Sequence, residues 1–228
     1  MFLYRMFSYD QVANQRNAIS ALQLEGCCKP VPAREGEKST EPATLMKWYR
    51  LDDGVMGGKS ESEHVPLEDG AVLHFKGTIN TNGGGFCSIR SKFTDRFMDS
   101  TAKAIKIVFR GDGKTYKLLV SDGNPSMGPF AKSPSWQADL VTKRLENDDE
   151  WEEITVPFSS FLPNFGGPSA KPEEDKAKYT FKAEDMRELG LMLSMKLSNA
   201  SPNPTETFGR GIFTFSLAIK SMEIMKSD

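Results

Sequence analysis

Residues 52–60 read DDGVMGGKS and end in Gly-Lys-Ser, as a phosphate-cradling loop does. That loop needs Gly, four residues, then Gly-Lys-Ser/Thr, so that backbone N–H groups and the lysine surround the phosphates. Counting back from Gly58-Lys59-Ser60 puts Asp53 where the first glycine belongs. A carboxylate at that place repels phosphate. A P-loop also leaves a buried parallel strand and opens a helix. Here ESEHVPLEDG follows, with Pro66 and no apolar stripe at helical spacing. The segment therefore reads as a turn. Asp52, Asp53 and Gly54 suit a tight bend, and Gly57-Gly58 are expected at positive φ. Val55 and Met56 are expected to project onto the core edge. A second glycine run, NGGGF at 82–86, places Gly83, Gly84 and Gly85 ahead of Phe86. Such a run marks a turn or bulge with close backbone approach. The two runs are expected to pack backbone to backbone, and Asp53 with Arg90 is the ion pair expected to pin them.

Other residue sets point to less chemistry. Glycosidase action needs two carboxylates ~5 to 10 Å apart. Asp148, Asp149 and Glu150 precede Trp151, and Glu173, Glu174 and Asp175 lie in a charged segment; adjacent acids of this kind read as solvated surface. No catalytic residue is expected. Cys27, Cys28 and Cys87 form neither a CxxC pair nor a disulfide framework, and point to a reducing compartment. His64 and His74 have no metal-ligand spacing. No metal and no cofactor are expected. Trp48, Trp136 and Trp151 suit a sandwich core, or a sugar-stacking face if exposed. Phe130, Phe165 and Phe208 lie in loop-like contexts, where exposure would mark a protein interface.

The elements that position these residues follow from composition and period. The chain has 228 residues, 29 basic and 31 acidic side chains, and a formal charge of −2. No basic field favours nucleic acid, and no apolar run reaches a transmembrane length of ~18 residues. Residues 8–24 read as a helix, capped by Ser8 and Gln11. The first 24 residues hold one acid, Asp10, against Arg5 and Arg16, a bias weakly like a mitochondrial presequence. A linker over 29–44 is rich in Pro, charge and small residues. Beyond it the period becomes two. Strands are expected at 71–77, 86–93, 104–110, 115–121, 136–145, 151–158, 188–197 and 211–225. Asp112-Gly113 is a tight-hairpin signal between two of them. The segments 163–178 and 199–210 are long connections. The expected architecture is an antiparallel β-sandwich over 44–228, behind an N-terminal helix and linker over 1–43.

One joint pattern is more specific. WYRLDDGVMGGKS from Trp48, then FKG at 75–77 and GGGFCSIR at 83–90, resembles the complex I intermediate-associated protein family. The later order, GDGKTYKLLV, SWQADL, WEEITVPFSSFLPNF, LGLMLS and GIFTFSLAIKSMEI, is similar as well. The resemblance covers about residues 44–225. It implies a mainly β, galactose-binding-like jelly roll, related in fold to carbohydrate-binding modules. It also implies a non-catalytic assembly factor or chaperone for intermediates of respiratory complex I or a related membrane-protein complex. The expected partners are assembly intermediates or other assembly factors, in the mitochondrion, with chloroplast or cytoplasm as alternatives. A carbohydrate-binding module is the alternative function. Many members carry Asn-Asp where this chain has Asp52-Asp53. The binding candidates are Trp48, Asp53, Lys59, Arg90, Trp136 and Phe208. Gly54, Gly57, Gly58, Ser60, Gly83, Gly84, Gly85 and Phe86 form the structural motif.

Overall fold

The computed structural model describes residues 4–5, 47–67, 72–95, 97–126, 131, 133–144, 150–167 and 170–227. The expected helix at 8–24 and linker at 29–44 lie outside the described residues, as do Phe130, Asp148 and Asp149. Two antiparallel sheets face each other. The first runs β3 (Glu61–Leu67), β4 (Val72–Asn80), β12 (Ile212–Lys226), β6 (Ala102–Arg110), β9 (Glu152–Pro157), with the two-residue β1 (Tyr4–Arg5) beside the end of β12. The second runs β10 (Leu162–Asn164), β8 (Ser135–Val141), β7 (Thr115–Ser121), β11 (Glu188–Ser194), β5 (Phe86–Lys92), β2 (Trp48–Arg50). All eight expected strands are present, with ends shifted by a few residues. The fold is a mainly β, jelly-roll-like sandwich.

Alternation builds the core. Tyr116, Leu118 and Val120 of β7, Leu189, Leu191 and Leu193 of β11, and Ile105, Ile107 and Phe109 of β6 all face inward and are buried. Phe215 packs edge-on against Phe75, with ring centroids 4.9 Å apart, and also against Tyr116 at 6.3 Å. At roughly 25 cal/mol per Å² of apolar surface, burial of these inner faces is the main stabilising term. β12 keeps its odd positions inward through Phe215, Leu217 and Ile219, then its even positions through Met222 and Ile224. The switch comes from a bulge between Ile219 and Ser221, which leaves Lys220 without a partner across the ladder.

Four strands escape the alternation pattern. β1, β2 and β10 are two or three residues long, too short to show a period. β3 carries Pro66 and mostly polar side chains, which an edge strand tolerates because its outer N–H groups need no partner. The long connection after β10 contains a short helix at Pro172–Lys176, and the one before β12 a single turn at Thr205–Phe208.

The Asp112-Gly113 hairpin is not formed. β6 belongs to the first sheet and β7 to the second, so this turn carries the chain across the sandwich. Gly113 does take positive φ, at +87°. Tertiary bonds override the local hairpin preference. Asp112 accepts the Tyr116 hydroxyl through Oδ1 at 2.9 Å and the Ser216 N–H through Oδ2 at 3.1 Å. One carboxylate thus fastens a strand of each sheet at the corner.

Candidate functional site

The two glycine runs are joined around Asp53. This side chain is buried, at 1% exposure. Its Oδ1 accepts the Ser60 N–H at 2.8 Å. Its Oδ2 accepts the Ser60 hydroxyl at 2.6 Å, the Gly85 N–H at 2.6 Å and the Phe86 N–H at 3.3 Å. The local fold makes the space. Asp53–Met56 forms one 3-10 turn, closed by Gly57 at φ +85°. Gly58 has no positive φ. It is glycine because a Cβ there would lie 2.3 Å from the Asp53 carboxyl carbon. A Cβ on Gly84 would lie 2.2 Å from Asp53 Oδ2. The carboxylate therefore fills the gap between the two runs, and neither run can carry a side chain where it faces the acid.

Asp52 repeats the arrangement one strand further in. It accepts the Ser62 N–H at 2.9 Å, the Ser62 hydroxyl at 2.7 Å and the Ser88 N–H at 3.2 Å. Arg50 Nε stands 3.5 Å from its Oδ2. The Leu51 N–H donates to Ser88 O at 2.9 Å, and the Ser88 hydroxyl donates back to Leu51 O at 2.5 Å. Together these bonds tie β2, β3 and β5 across the open edge between the sheets. Burial pushes the Asp53 carboxyl upward, but the bonds from Ser60, Gly85 and Phe86 outweigh it and hold the group below the ordinary range. Beside it, burial raises the Cys87 thiol far above its usual range, with the Asp52 and Asp53 charges adding to the effect. The thiol is therefore protonated and unreactive.

Several expectations need correcting. Asp53 and Arg90 are not the linking pair. Asp53 is satisfied by neutral donors, whereas Arg90 Nη1 donates to Glu188 Oε1 at 3.1 Å. The runs meet through a side chain and not backbone to backbone. Val55 and Met56 leave the core edge for solvent, at 68% and 65% exposure. Phe208 is buried against Phe213, with ring centroids 5.0 Å apart, and is no surface anchor.

The remaining candidates are scattered. Trp136 is in the core, edge-on to Phe181 at 5.4 Å. Trp48 is half-buried against the core. Trp151 lies under two cations, Arg110 at 5.0 Å and Lys220 at 5.3 Å from its centroid. Lys59 is exposed at the loop end. Phe165 stacks obliquely on Tyr179 at 5.1 Å. Glu174 and Asp175 form surface ion pairs with Lys171 and Lys178. His74 faces Ser216, with Nε2 2.8 Å from Oγ.

Sequence reasoning missed Ser62 and Ser88, which complete the knot, and a second polar group on the outer face of the second sheet. There Tyr49 donates its hydroxyl to Glu188 at 2.6 Å, and Ser121 donates to the same carboxylate at 3.2 Å. Burial and then this bond raise the Tyr49 hydroxyl well beyond the ordinary tyrosine range. Alternation turns Lys117 and Arg90 away from the core, but nothing local marks that outer face as shielded.

The loops around residues 81–85 gather one end of the sandwich. Thr81 N–H donates to Gly211 O at 2.9 Å, and Met195 N–H donates to Gly85 O at 2.9 Å. Val55, Met56, Met195 and Ile212 are exposed there, at 68%, 65%, 43% and 70%.

Several solved structures align with this chain at low sequence identity. A family 11 carbohydrate-binding module of a cellulosomal cellulase from Clostridium thermocellum superposes with TM-score 0.49 and 13% identity, over 79% of this chain and 87% of that one. A family 4 carbohydrate-binding module gives 0.39 and 7%, over 78% and 86%. The C-terminal family 6 module of a laminarinase from Zobellia galactanivorans gives 0.36 and 10%, over 79% and 100%. No curated protein matches the chain in sequence. A family model does match, over residues 38–219, and it spans the Asp53 knot, both sheets and the loop end. The chain belongs to the family of complex I intermediate-associated protein 30.

Proposed function

We propose that this chain is a non-catalytic assembly module that holds protein partners during the building of a respiratory membrane complex, complex I in the first place. Membership of the family over residues 38–219 carries the reading. The loop end supports it. Val55, Met56, Met195 and Ile212 stand exposed on loops that the Asp53 knot holds in fixed relation. Exposed apolar side chains on a rigid rim suit the apolar surface of an unassembled subunit. The acid-poor first 24 residues fit action in the mitochondrion.

The carbohydrate-binding alternative needs exposed aromatic faces. Trp136 is in the core, Trp48 packs against the core, and Trp151 is covered by Arg110 and Lys220.

The test is affinity purification of the tagged full chain from its native cells. The expected result is recovery of unassembled complex I subunits. The double substitution Val55→Asp/Met56→Asp should lose them with Tm unchanged, because both side chains are already in water. Recovery of no respiratory subunit, or full recovery by the double variant together with one at Met195 and Ile212, overturns the reading.

A further inference from the structure

The outer face of the second sheet holds buried polar groups without partners. Gln137, Leu119, Gly190, Arg90 and Tyr49 stand in one row across β8, β7, β11, β5 and β2. Asp139, Lys117 and Met192 form the next. Their sequence neighbours Tyr116, Leu118, Leu140 and Leu191 fill the core, so these side chains point the other way. Yet Lys117 is only 5% exposed, and among the described residues its ammonium makes no hydrogen bond and no ion pair. Among the described residues, Arg90 gives Nη1 to Glu188 while its buried Nε–H has no acceptor, and Gln137, 8% exposed, has a buried Oε1 with no donor. Gly190 lets Arg90 and Leu119 lean over the middle of the row. A Cβ there would meet Arg90 Cγ at 3.1 Å, Ile89 O at 3.1 Å and Leu119 Cδ1 at 3.3 Å.

A buried ammonium without a counter-ion costs several kcal/mol, and a folded chain normally avoids it. Asp139 is the nearest carboxylate across the ladder, but its Oδ1 accepts the Ser198 N–H at 2.8 Å and it forms no ion pair with Lys117. Burial, followed by the charges of Arg90 and Lys196, pushes Lys117 down to about 8, against the pull of Asp139. The unsatisfied groups are thus two cationic donors and one neutral acceptor, around an apolar floor of Leu119 and Met192.

We propose that this face binds a small oxyanion, a carboxylate or phosphate that also carries a hydroxyl or N–H group. Lys117 and Arg90 Nε take the oxyanion, and Gln137 Oε1 takes the ligand's donor. The anion supplies the counter-charge that the fold withholds from Lys117. Binding then draws a proton onto Lys117 at pH above about 8. Affinity falls as pH rises through that range; Asp139, Arg90 and Lys196 are the charged groups that act on Lys117.

The test is calorimetric titration of the full chain with inorganic phosphate, with malate and with cellobiose, at several pH values. The expected result is binding of phosphate, malate or both, which identifies the oxyanion class, and no binding of cellobiose. Lys117→Met should weaken it about tenfold or more, as loss of a charge-assisted bond does, and remove its pH dependence above 8. In the ligand-free protein the same variant should raise Tm, because it removes an uncompensated charge. Should that variant not fold, NMR titration of the lysine side chains in the wild type decides. Saturating oxyanion should move the Lys117 titration upward. Absence of oxyanion binding, equal affinity in Lys117→Met, an unmoved Lys117 titration, or cellobiose binding that is indifferent to Lys117 each overturns the proposal.

Discussion

The Asp53 carboxylate lies 2.6 Å from the backbone nitrogen of Gly85, 32 residues along the chain. This bond joins the turn after β2 to the start of β5, on opposite sides of β3 and β4 in sequence. With Ser60 and Phe86 it makes Asp53 a buried acceptor of four hydrogen bonds from neutral donors.

Asp53→Ala leaves the Ser60, Gly85 and Phe86 donors buried and unpartnered. A loss of about 3 kcal/mol is expected, at ~1 to 3 kcal/mol per orphaned group with partial rescue by water. Denaturant unfolding measures it. The sign with pH follows from the depressed carboxyl. The contribution is complete above the ordinary aspartate range and is lost as pH falls through the lower folded value. The wild type should therefore lose its advantage over Asp53→Asn in acid.

Gly58→Ala and Gly84→Ala each push a methyl group into the Asp53 carboxylate, at 2.3 Å and 2.2 Å. Each should cost about 1 to 3 kcal/mol, as overpacking does. Gly54→Ala meets nothing within 4 Å and is free of positive φ, so its stability should be unchanged. Gly83→Ala meets nothing either, but strains a φ of +85°, and should cost about 1 kcal/mol. Thermal unfolding of the four variants checks the order.

Asp112 couples the sheets through Tyr116 and Ser216. Asp112→Ala and Tyr116→Phe should each destabilise by about 1 kcal/mol, and together by less than the sum. A double-mutant cycle reads the coupling. Strict additivity would mean that the corner bond contributes nothing.

Lys117 sets a pH signature in stability. Its folded value, about 8, lies below the ordinary 10.5. Between these values the unfolded chain binds the extra proton, so this residue's contribution to stability rises with pH across that window. Full release corresponds to ~3 kcal/mol. Buried Cys87 and Tyr116, and Tyr49 bonded to Glu188, act in the opposite direction, because they resist ionisation in the fold. The difference between wild type and Lys117→Met isolates the lysine. Lys117→Met should be the more stable at neutral pH, and the gap should close by pH ~10.5. A gap that does not change with pH would show that Lys117 is not shielded.

Alternation along single segments was enough to mark eight of the twelve described strands, since inward and outward faces in a sheet follow from a period of two. The glycine runs and the aspartate between them were also legible as a pair. What joins them was not. Local sequence offered Arg90 as the partner by charge, while the fold seats Arg90 on Glu188 of β11 and gives Asp53 only neutral donors. Asp112-Gly113 reads as a hairpin by its residue types, and crosses between sheets because Tyr116 and Ser216 hold the aspartate. Phe208 and Val55 exchange their expected places, one buried and one exposed, because loop side chains take their burial from neighbours that no local pattern names.

By itself, then, the sequence determined the class of fold, the inward faces of its strands and the positions that had to be glycine or acid. The tertiary structure alone decided which sheet each strand joined, which donors satisfied each buried carboxylate, and that Lys117 would be shielded without a counter-ion. The reason is range. Alternation and turn preference act over a few residues, whereas desolvation and hydrogen-bond partnership are set by groups brought together from 30 to 140 positions apart, as in Asp53 with Gly85, 32 apart, and Tyr49 with Glu188, 139 apart.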